Sequence, residues 1–321
     1  IILNADATGY AQLQVNGSVS GSGTVTVEQY VGTTGWHNMA MPVSGNLNQF
    51  GSVNTASHPN ARNIYTWDEA GGQWNDVVGA SDGSSTANSA GTGYMVYVGT
   101  NGVITSAGNI EVSGSLFGST SPSLTNSGSG ADAGWNLVGN PFPCAIDYFT
   151  LTTSNVSNGY SIWNPGSESY SSWTPLSAGA EAIAPMQAFW VEATGGSPSL
   201  GSISMSANGD LGQSPTFLKT QTVVADRLYL DVFEAADNSK RDEFLLGMVP
   251  GTNDGRDNAW DIGKRLNATN VPSLMSVANG DELAINAIDY SPNNIKTKKL
   301  QLRFVSGKNN EVYFIELQTA C

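Results

Sequence analysis

Residues 134–148 read Gly-Trp-Asn-Leu-Val-Gly-Asn-Pro-Phe-Pro-Cys-Ala-Ile-Asp-Tyr, and the rest of the chain is organised around them. Trp135, Leu137 and Val138 make a short apolar strand. Asn140-Pro-Phe-Pro143 ends it, because two prolines remove two backbone donors and fix two φ angles. Residues 35–50, Gly-Trp-His-Asn-Met-Ala-Met-Pro-Val-Ser-Gly-Asn-Leu-Asn-Gln-Phe, echo the pattern. Both stretches open on Gly-Trp and carry a proline six residues after the tryptophan.

The echo widens into a repeat covering residues 32–110 and 131–206. Trp36 and Trp135, Pro42 and Pro141, and Trp74 and Trp173 are each 99 residues apart. Each copy has an aromatic hairpin, at 64–74 with Trp67 and Trp74 and at 160–173 with Trp163 and Trp173. Each then has a Gly/Ser/Ala-rich loop and an apolar strand, at 93–98 and 186–191, with further strands expected at 103–110 and 200–205. A repeat this long is a whole β-sandwich or half of a large one, since solenoid units run to about 20–45 residues. The polar stretch 113–133 predicts an exposed linker between the copies. Ahead of the first copy, residues 1–3, 11–15 and 24–30 read as short strands of period two.

Composition agrees with an all-β protein working outside the cell. Of 321 residues only 12% are charged, 37 are glycine and eight are tryptophan. Few charges and many turn formers fit many short strands, and a 40% hydrophobic content excludes a disordered chain. The net charge of -14 argues against nucleic acid and against anionic membrane surfaces. No apolar run of about 18 residues predicts a membrane span. Charge also marks a boundary. Residues 1–215 hold one basic residue, Arg62, and 13 acidic ones, whereas residues 216–321 hold 12 basic and 14 acidic ones.

Beyond that step, residues 227–233 and 242–249 read as paired strands, with a short helix expected at 260–266 and a strand at 282–290. A final hairpin is expected of 298–305 with 311–317, turned at 307–310. The fold expectation is therefore all-β, in tandem β-sandwich units of jelly-roll or Ig-like type, two of them an internal repeat. The ranges are 1–112, 113–215 and 216–321. Ile1 begins inside a strand-like pattern and the last strand lacks a closing partner, so the chain is expected to be a mature segment of something longer. Cys144 and Cys321 read as two free thiols or one long-range disulfide, and the chain is not a disulfide-stapled scaffold.

These stretches resemble the modules near the C-terminal end of large Bacteroidota surface proteins exported by the type IX secretion system. The resemblance is carried by Gly134–Asp147, by Tyr-Ser-Ile-Trp-Asn-Pro at 160–165 and by Ile-Ala-Pro-Met-Gln-Ala-Phe-Trp-Val-Glu-Ala at 183–193. Arg-Leu-Tyr-Leu-Asp-Val-Phe at 227–233, the loop 254–261 and Glu-Leu-Ala-Ile-Asn-Ala at 282–287 extend it. It implies an extracellular or cell-surface location and a role as adhesin, stalk or scaffold. Such modules accompany adhesins, glycan-degrading enzymes and proteins of other kinds. The C-terminal sorting domain usual in that family is not in these residues.

Chemistry is sparse. The two histidines, His37 and His58, read as a packed strand residue and a turn residue. Gly79-Ala-Ser81-Asp-Gly83 has nucleophile-elbow spacing, but a Ser/Gly/Asn-rich loop follows it where an elbow needs a helix. Two Cys and two His build no ordinary zinc site. The one expected cofactor alternative to none is calcium, on Asp254, Asp257 and Asp261, with Arg256 able to pair with the same carboxylates. Glycoside hydrolysis needs two facing acids; Asp147 and Glu192 lie at the ends of apolar stretches, and nothing in the sequence brings a pair together. A non-catalytic module is expected. Trp67, Trp74, Trp163 and Trp173 are either cross-strand core residues or a platform for sugar rings. The partners expected are glycans, or other copies of the chain joined through open strands as a filament.

Overall fold

The computed structural model describes residues 1–13, 15, 23–50, 64–77, 85–99, 108–128, 130, 132–177, 182–201, 226–289, 299–309 and 311–320. Among these residues the chain is all-β, with two 3₁₀ turns, Leu47–Phe50 and Tyr148–Thr150, and no α-helix. The strands begin with β1 (Ile2–Leu3), β2 (Ala5–Asp6), β3 (Gly9–Tyr10), β4 (Val25–Val31) and β5 (Gly35–Met39). The first aromatic hairpin is β6 (Ile64–Asp68) and β7 (Gln73–Asp76), followed by β8 (Tyr94–Val98), β9 (Gly108–Gly114) and β10 (Trp135–Gly139). The second is β11 (Tyr160–Asn164) and β12 (Ser169–Trp173), followed by β13 (Ala188–Glu192). The remainder is β14 (Asp226–Glu234), β15 (Arg241–Met248), β16 (Ile262–Gly263), β17 (Ser273–Ala278), β18 (Asp281–Ile288), β19 (Leu302–Val305) and β20 (Tyr313–Ala320).

The chain divides into two compact units, Ile1–Val156 with Glu181–Pro215, and Ser157–Ala180 with Thr216–Cys321. The ranges 1–112, 113–215 and 216–321 cut it differently, because the second aromatic hairpin groups with the last hundred residues.

In the first unit, β1-β4-β9 forms one sheet and β5-β8-β6-β7 another. Alternation on β4 and β9 turns Val25, Val27, Val31, Ile110 and Val112 to one face, where they meet Met39, Ile64 and Val96 in a single core. Each such fully buried side chain contributes about 1.5–3 kcal/mol. β10 pairs antiparallel with β13, from Trp135 opposite Glu192 to Gly139 opposite Ala188. β5 likewise pairs antiparallel with β8, Trp36 facing Tyr97 and Met39 facing Tyr94. β13 is buried at every position, so its run of apolar residues lacks the alternation of a half-exposed strand.

Two residues of the opening motif explain its chemistry. Gly139 donates its N–H to Gly91 O at 2.9 Å, and a Cβ there would lie 2.4 Å from Thr92 O and 2.6 Å from Ala40 Cβ. Only glycine permits that approach. Asn140 is completely buried. Its amide nitrogen lies 2.8, 3.1 and 3.0 Å from the carbonyl oxygens of Cys144, Ile183 and Ala184, and its oxygen accepts from Phe142 N at 3.0 Å. The Asn-Pro-Phe-Pro turn thus has its backbone partners supplied by one side chain. In the first copy Met41 stands at the equivalent place and Asn88 takes the job, donating to Val43 O at 3.1 Å.

Four expectations are corrected. Ala11–Leu13 is not a strand; it lies along the proline turn, with Leu13 N donating to Pro143 O and Ala145 N to the Gln12 side chain. The 113–133 stretch is not a free linker in its described residues. Buried Glu69 accepts from Ser127 N and Oγ at 2.8 Å each and from Gly134 N at 2.7 Å, while Asn136 clasps Thr125. No helix forms at 260–266; Trp260 N and Asp261 N close a turn onto Asp257 O, and β16 pairs with β18. The hairpin expected of 298–305 and 311–317 does not pair with itself. β19 pairs with β17 and β20 with β14, because each finds a ready strand edge that satisfies more backbone than two isolated strands could. Residues 103–107 and 202–205 lie outside the described residues.

The second unit contains the hairpin β11–β12 and the sheet β19-β17-β18-β15-β14-β20, with β16 beside β18. Flat, the outermost of six strands would lie five spacings of about 4.8 Å apart. Phe304 on β19 and Tyr313 beside it on β20 instead have ring centroids 5.2 Å apart, so the sheet curls strongly. Leu230, Val232, Phe244, Leu246 and Leu274 fill the curl. Asn279 and Gly280, both at positive φ, turn β17 into β18.

Glu69 offers a stability test. Burial alone would raise its pKa, but hydrogen bonds from Gly134 and Ser127 hold it below the ordinary glutamate value. A lowered folded pKa contributes stability above the unfolded value of about 4.3, lost as pH falls through the folded one. Glu69→Gln is expected to lower unfolding free energy at neutral pH by about 1–3 kcal/mol and to flatten acid destabilisation below about pH 4.5, measured by denaturant titration.

Candidate functional site

In the second unit, β12 packs beside β15 and β18, and a concavity of about 390 Å³ lies among them. That volume suits a small organic ligand or a sugar residue or two. The hairpin contributes Tyr170, Trp173 and a row of serines, and the sheet contributes Tyr229, Asp231, Arg241 and Glu243. Strand alternation explains the second set. Leu228, Leu230 and Val232 point into the curl of the sheet, so Tyr229 and Asp231 point the other way. Register then places Leu245 opposite Tyr229 and Glu243 opposite Asp231, on the same face.

The charges of the concavity are unequally partnered. Asp231, whose side chain is 3% exposed, pairs with the Arg241 guanidinium, which is 51% exposed. Asp242 is buried and holds Lys264 Nζ at 2.6 Å while accepting from Leu274 N at 2.7 Å. Glu243, exposed into the concavity, has no hydrogen bond or ion pair among the described residues. Enclosure by the walls pushes its pKa up to about 6, the Asp231 and Asp242 charges add to the rise, and Arg241 and Lys264 oppose it. With three carboxylates against two cations, one negative charge is left over when Glu243 ionises.

The four candidate tryptophans part company. Trp67 and Trp74 are half-buried cross-strand partners whose rings meet edge to face at 5.2 Å, and both meet Trp190, at 5.6 and 5.7 Å. Trp67 Nε1 donates to Trp135 O at 2.7 Å and Trp190 Nε1 to Asn38 Oδ1 at 2.9 Å. These indoles are bonded into the first unit. Trp163 tilts against Tyr170 at 5.0 Å. Trp173 stacks on buried Tyr160 at 5.3 Å and 15°, and of the four it alone lines the concavity. Arg265 lies 5.2 Å over the Tyr170 ring, a cation–π contact.

The three aspartates proposed for calcium do not gather. Among the described residues no three His, Cys, Asp or Glu side chains converge on a point. Asp261 is fully buried and turns inward, accepting from Asp257 N and Ala287 N at 2.6 Å each. Burial, the largest influence, pushes its pKa up to about 7 against those hydrogen bonds. Asp257 caps Ala259 N, Asp254 is exposed, and Arg256 donates to Asn258 and Ser157 while its charge acts on Asp261. The loop is held by turns.

His37 bonds Thr33 O at 2.9 Å, and burial lowers its pKa. Asp147 caps the turn Tyr148–Thr150 through Phe149 N at 3.0 Å. Cys144 is buried and its thiol pushed up to about 12. His58, the 79–83 motif and Cys321, with any pairing of Cys321, lie outside the described residues. Tyr229, Asp231, Arg241 and Glu243 were missed in sequence; the available signal was an aspartate in the middle of an otherwise apolar alternating strand. No protein-family model, curated protein or solved structure matches the chain.

Proposed function

We propose that this chain is a non-catalytic β-sandwich module of a secreted or cell-surface protein, and that it binds glycan in the concavity of its second unit. The observation that carries the reading is that concavity, with Tyr170, Trp173 and Tyr229 beside serine hydroxyls, a guanidinium and a carboxylate. Apolar sugar faces stack on aromatic rings, and sugar hydroxyls pair with such polar groups. An adhesin or scaffold role follows from that binding and from the family resemblance. Catalysis is disfavoured by the same residues. A glycosidase needs two free carboxyls facing one bond, whereas Asp231 and Asp242 are buried in ion pairs, which leaves Glu243 alone.

The test separates the two hairpins. Retention on polysaccharide columns is expected to fall by tenfold or more, about 1.4 kcal/mol, in Trp173→Ala and Tyr229→Ala. Trp74→Ala is expected to retain glycan and instead to lose about 2–4 kcal/mol of stability, read by denaturant unfolding. Equal retention by Trp173→Ala and the unchanged chain would sink the assignment.

Self-assembly is a second reading, with its own observation. β20 is an edge strand with Phe314 at 53%, Ile315 at 59% and Leu317 at 60% exposure. An apolar open edge favours strand addition from another chain. Sedimentation is expected to show association rising with concentration and abolished by Ile315→Lys with Leu317→Lys. A monomer at high concentration would dismiss it.

A further inference from the structure

The partnering of charges in the concavity narrows the ligand. Asp231 is held by Arg241 and Asp242 by Lys264. Glu243 lines the same space, exposed, with no hydrogen bond or ion pair among the described residues. A ligand that fills the concavity removes water from that carboxylate. A neutral sugar would compensate only with hydroxyl hydrogen bonds, and an anionic one would meet the surplus negative charge at short range. A cation is the group that offsets both effects. The walls favour the same choice, because aromatic faces attract a cation through their quadrupole, and Tyr170, Trp173 and Tyr229 all line the space. Tyr170 already carries Arg265 over its ring at 5.2 Å, so such contacts are established in this unit.

Resting on the glycan reading above, we propose that the concavity selects sugars bearing a free protonated amine, with Glu243 receiving the ammonium between the aromatic walls. A charge-assisted hydrogen bond of this kind is about twice as strong as a neutral one, enough for roughly tenfold selectivity over an N-acylated sugar of the same size.

The groups facing Glu243 are few. β14 brings Asp231 and Tyr229, β15 brings Arg241 and Asp242, and the segment after β16 brings Lys264. The hairpin brings Tyr170 with serines and Trp173, and β18 brings only Ala284 and Ile285. Of these, Glu243 changes charge near pH 6, so affinity for the amine is expected to fall as pH drops through about 6, while the sugar's ammonium stays protonated.

The experiment is calorimetric titration of the whole chain with β-linked oligomers of glucosamine, N-acetylglucosamine and glucose, above and below pH 6. Support is about tenfold tighter binding of the glucosamine oligomer, lost below pH 6 and lost in Glu243→Gln, whose unfolding midpoint is checked alongside. Equal or tighter binding of the N-acetylated or glucose oligomer would overturn the amine selectivity and leave the glycan reading standing. No binding of any of the three would overturn both. Because the pH arm uses the unchanged chain, the result does not depend on the variant folding.

Discussion

Buried backbone must find hydrogen-bond partners, and the first unit is built on how that demand is met after β10. The Asn-Pro-Phe-Pro turn carries two residues without an N–H, in a place where water cannot reach. Asn140 answers with one side chain, donating toward carbonyls at 144, 183 and 184 and accepting from Phe142. Because those carbonyls flank the entry to β13, the same side chain ties the turn to the strand that pairs with β10. Gly139, one residue earlier, lets Thr92 and Ala40 of the first copy approach to distances that any Cβ would forbid. Removing either residue would leave buried polar groups unsatisfied or force two strands apart.

A parallel logic governs polar residues elsewhere. Glu69 sits at the end of the first aromatic hairpin and captures two N–H groups and a hydroxyl from the segment leading into β10. Asp261 turns inward to take two backbone N–H groups. Asp242 and Lys264 neutralise each other out of solvent. In a chain with so few charges, most of the buried ones have a structural duty. Glu243 differs because it is exposed in the concavity and has no hydrogen bond or ion pair among the described residues. That contrast makes it the chemically informative member of the concavity.

The repeat was legible because it is written in spacing. Trp36 and Trp135, with their prolines, sit at equal intervals, and the strands carrying them pair antiparallel with β8 and β13. The alternation at 227–233 was likewise sufficient to identify β14 and its antiparallel partner β15. The errors came where local pattern is silent about partners. Residues 298–305 and 311–317 look like a hairpin, yet curling of the sheet brings its two edges close enough for a short connection to join them. The aspartates at 254, 257 and 261 look like a metal loop, yet burial turned one of them inward. Ala11–Leu13 alternates like a strand but meets a proline turn instead of a sheet edge.

Sequence alone determined the all-β class, the internal repeat and the aromatic hairpins, since period-two alternation, turn residues and spacing are local properties that survive without coordinates. Only the tertiary structure decided which tryptophans knit a core and which one borders open space, and that Tyr229, Asp231, Arg241 and Glu243 meet Tyr170 and Trp173. The physical reason is that a strand's two faces are chemically equivalent until something packs against one of them. The curl of the sheet covers Leu230 and Val232, and the hairpin bearing Trp173, more than fifty residues earlier in the chain, stands over the other face.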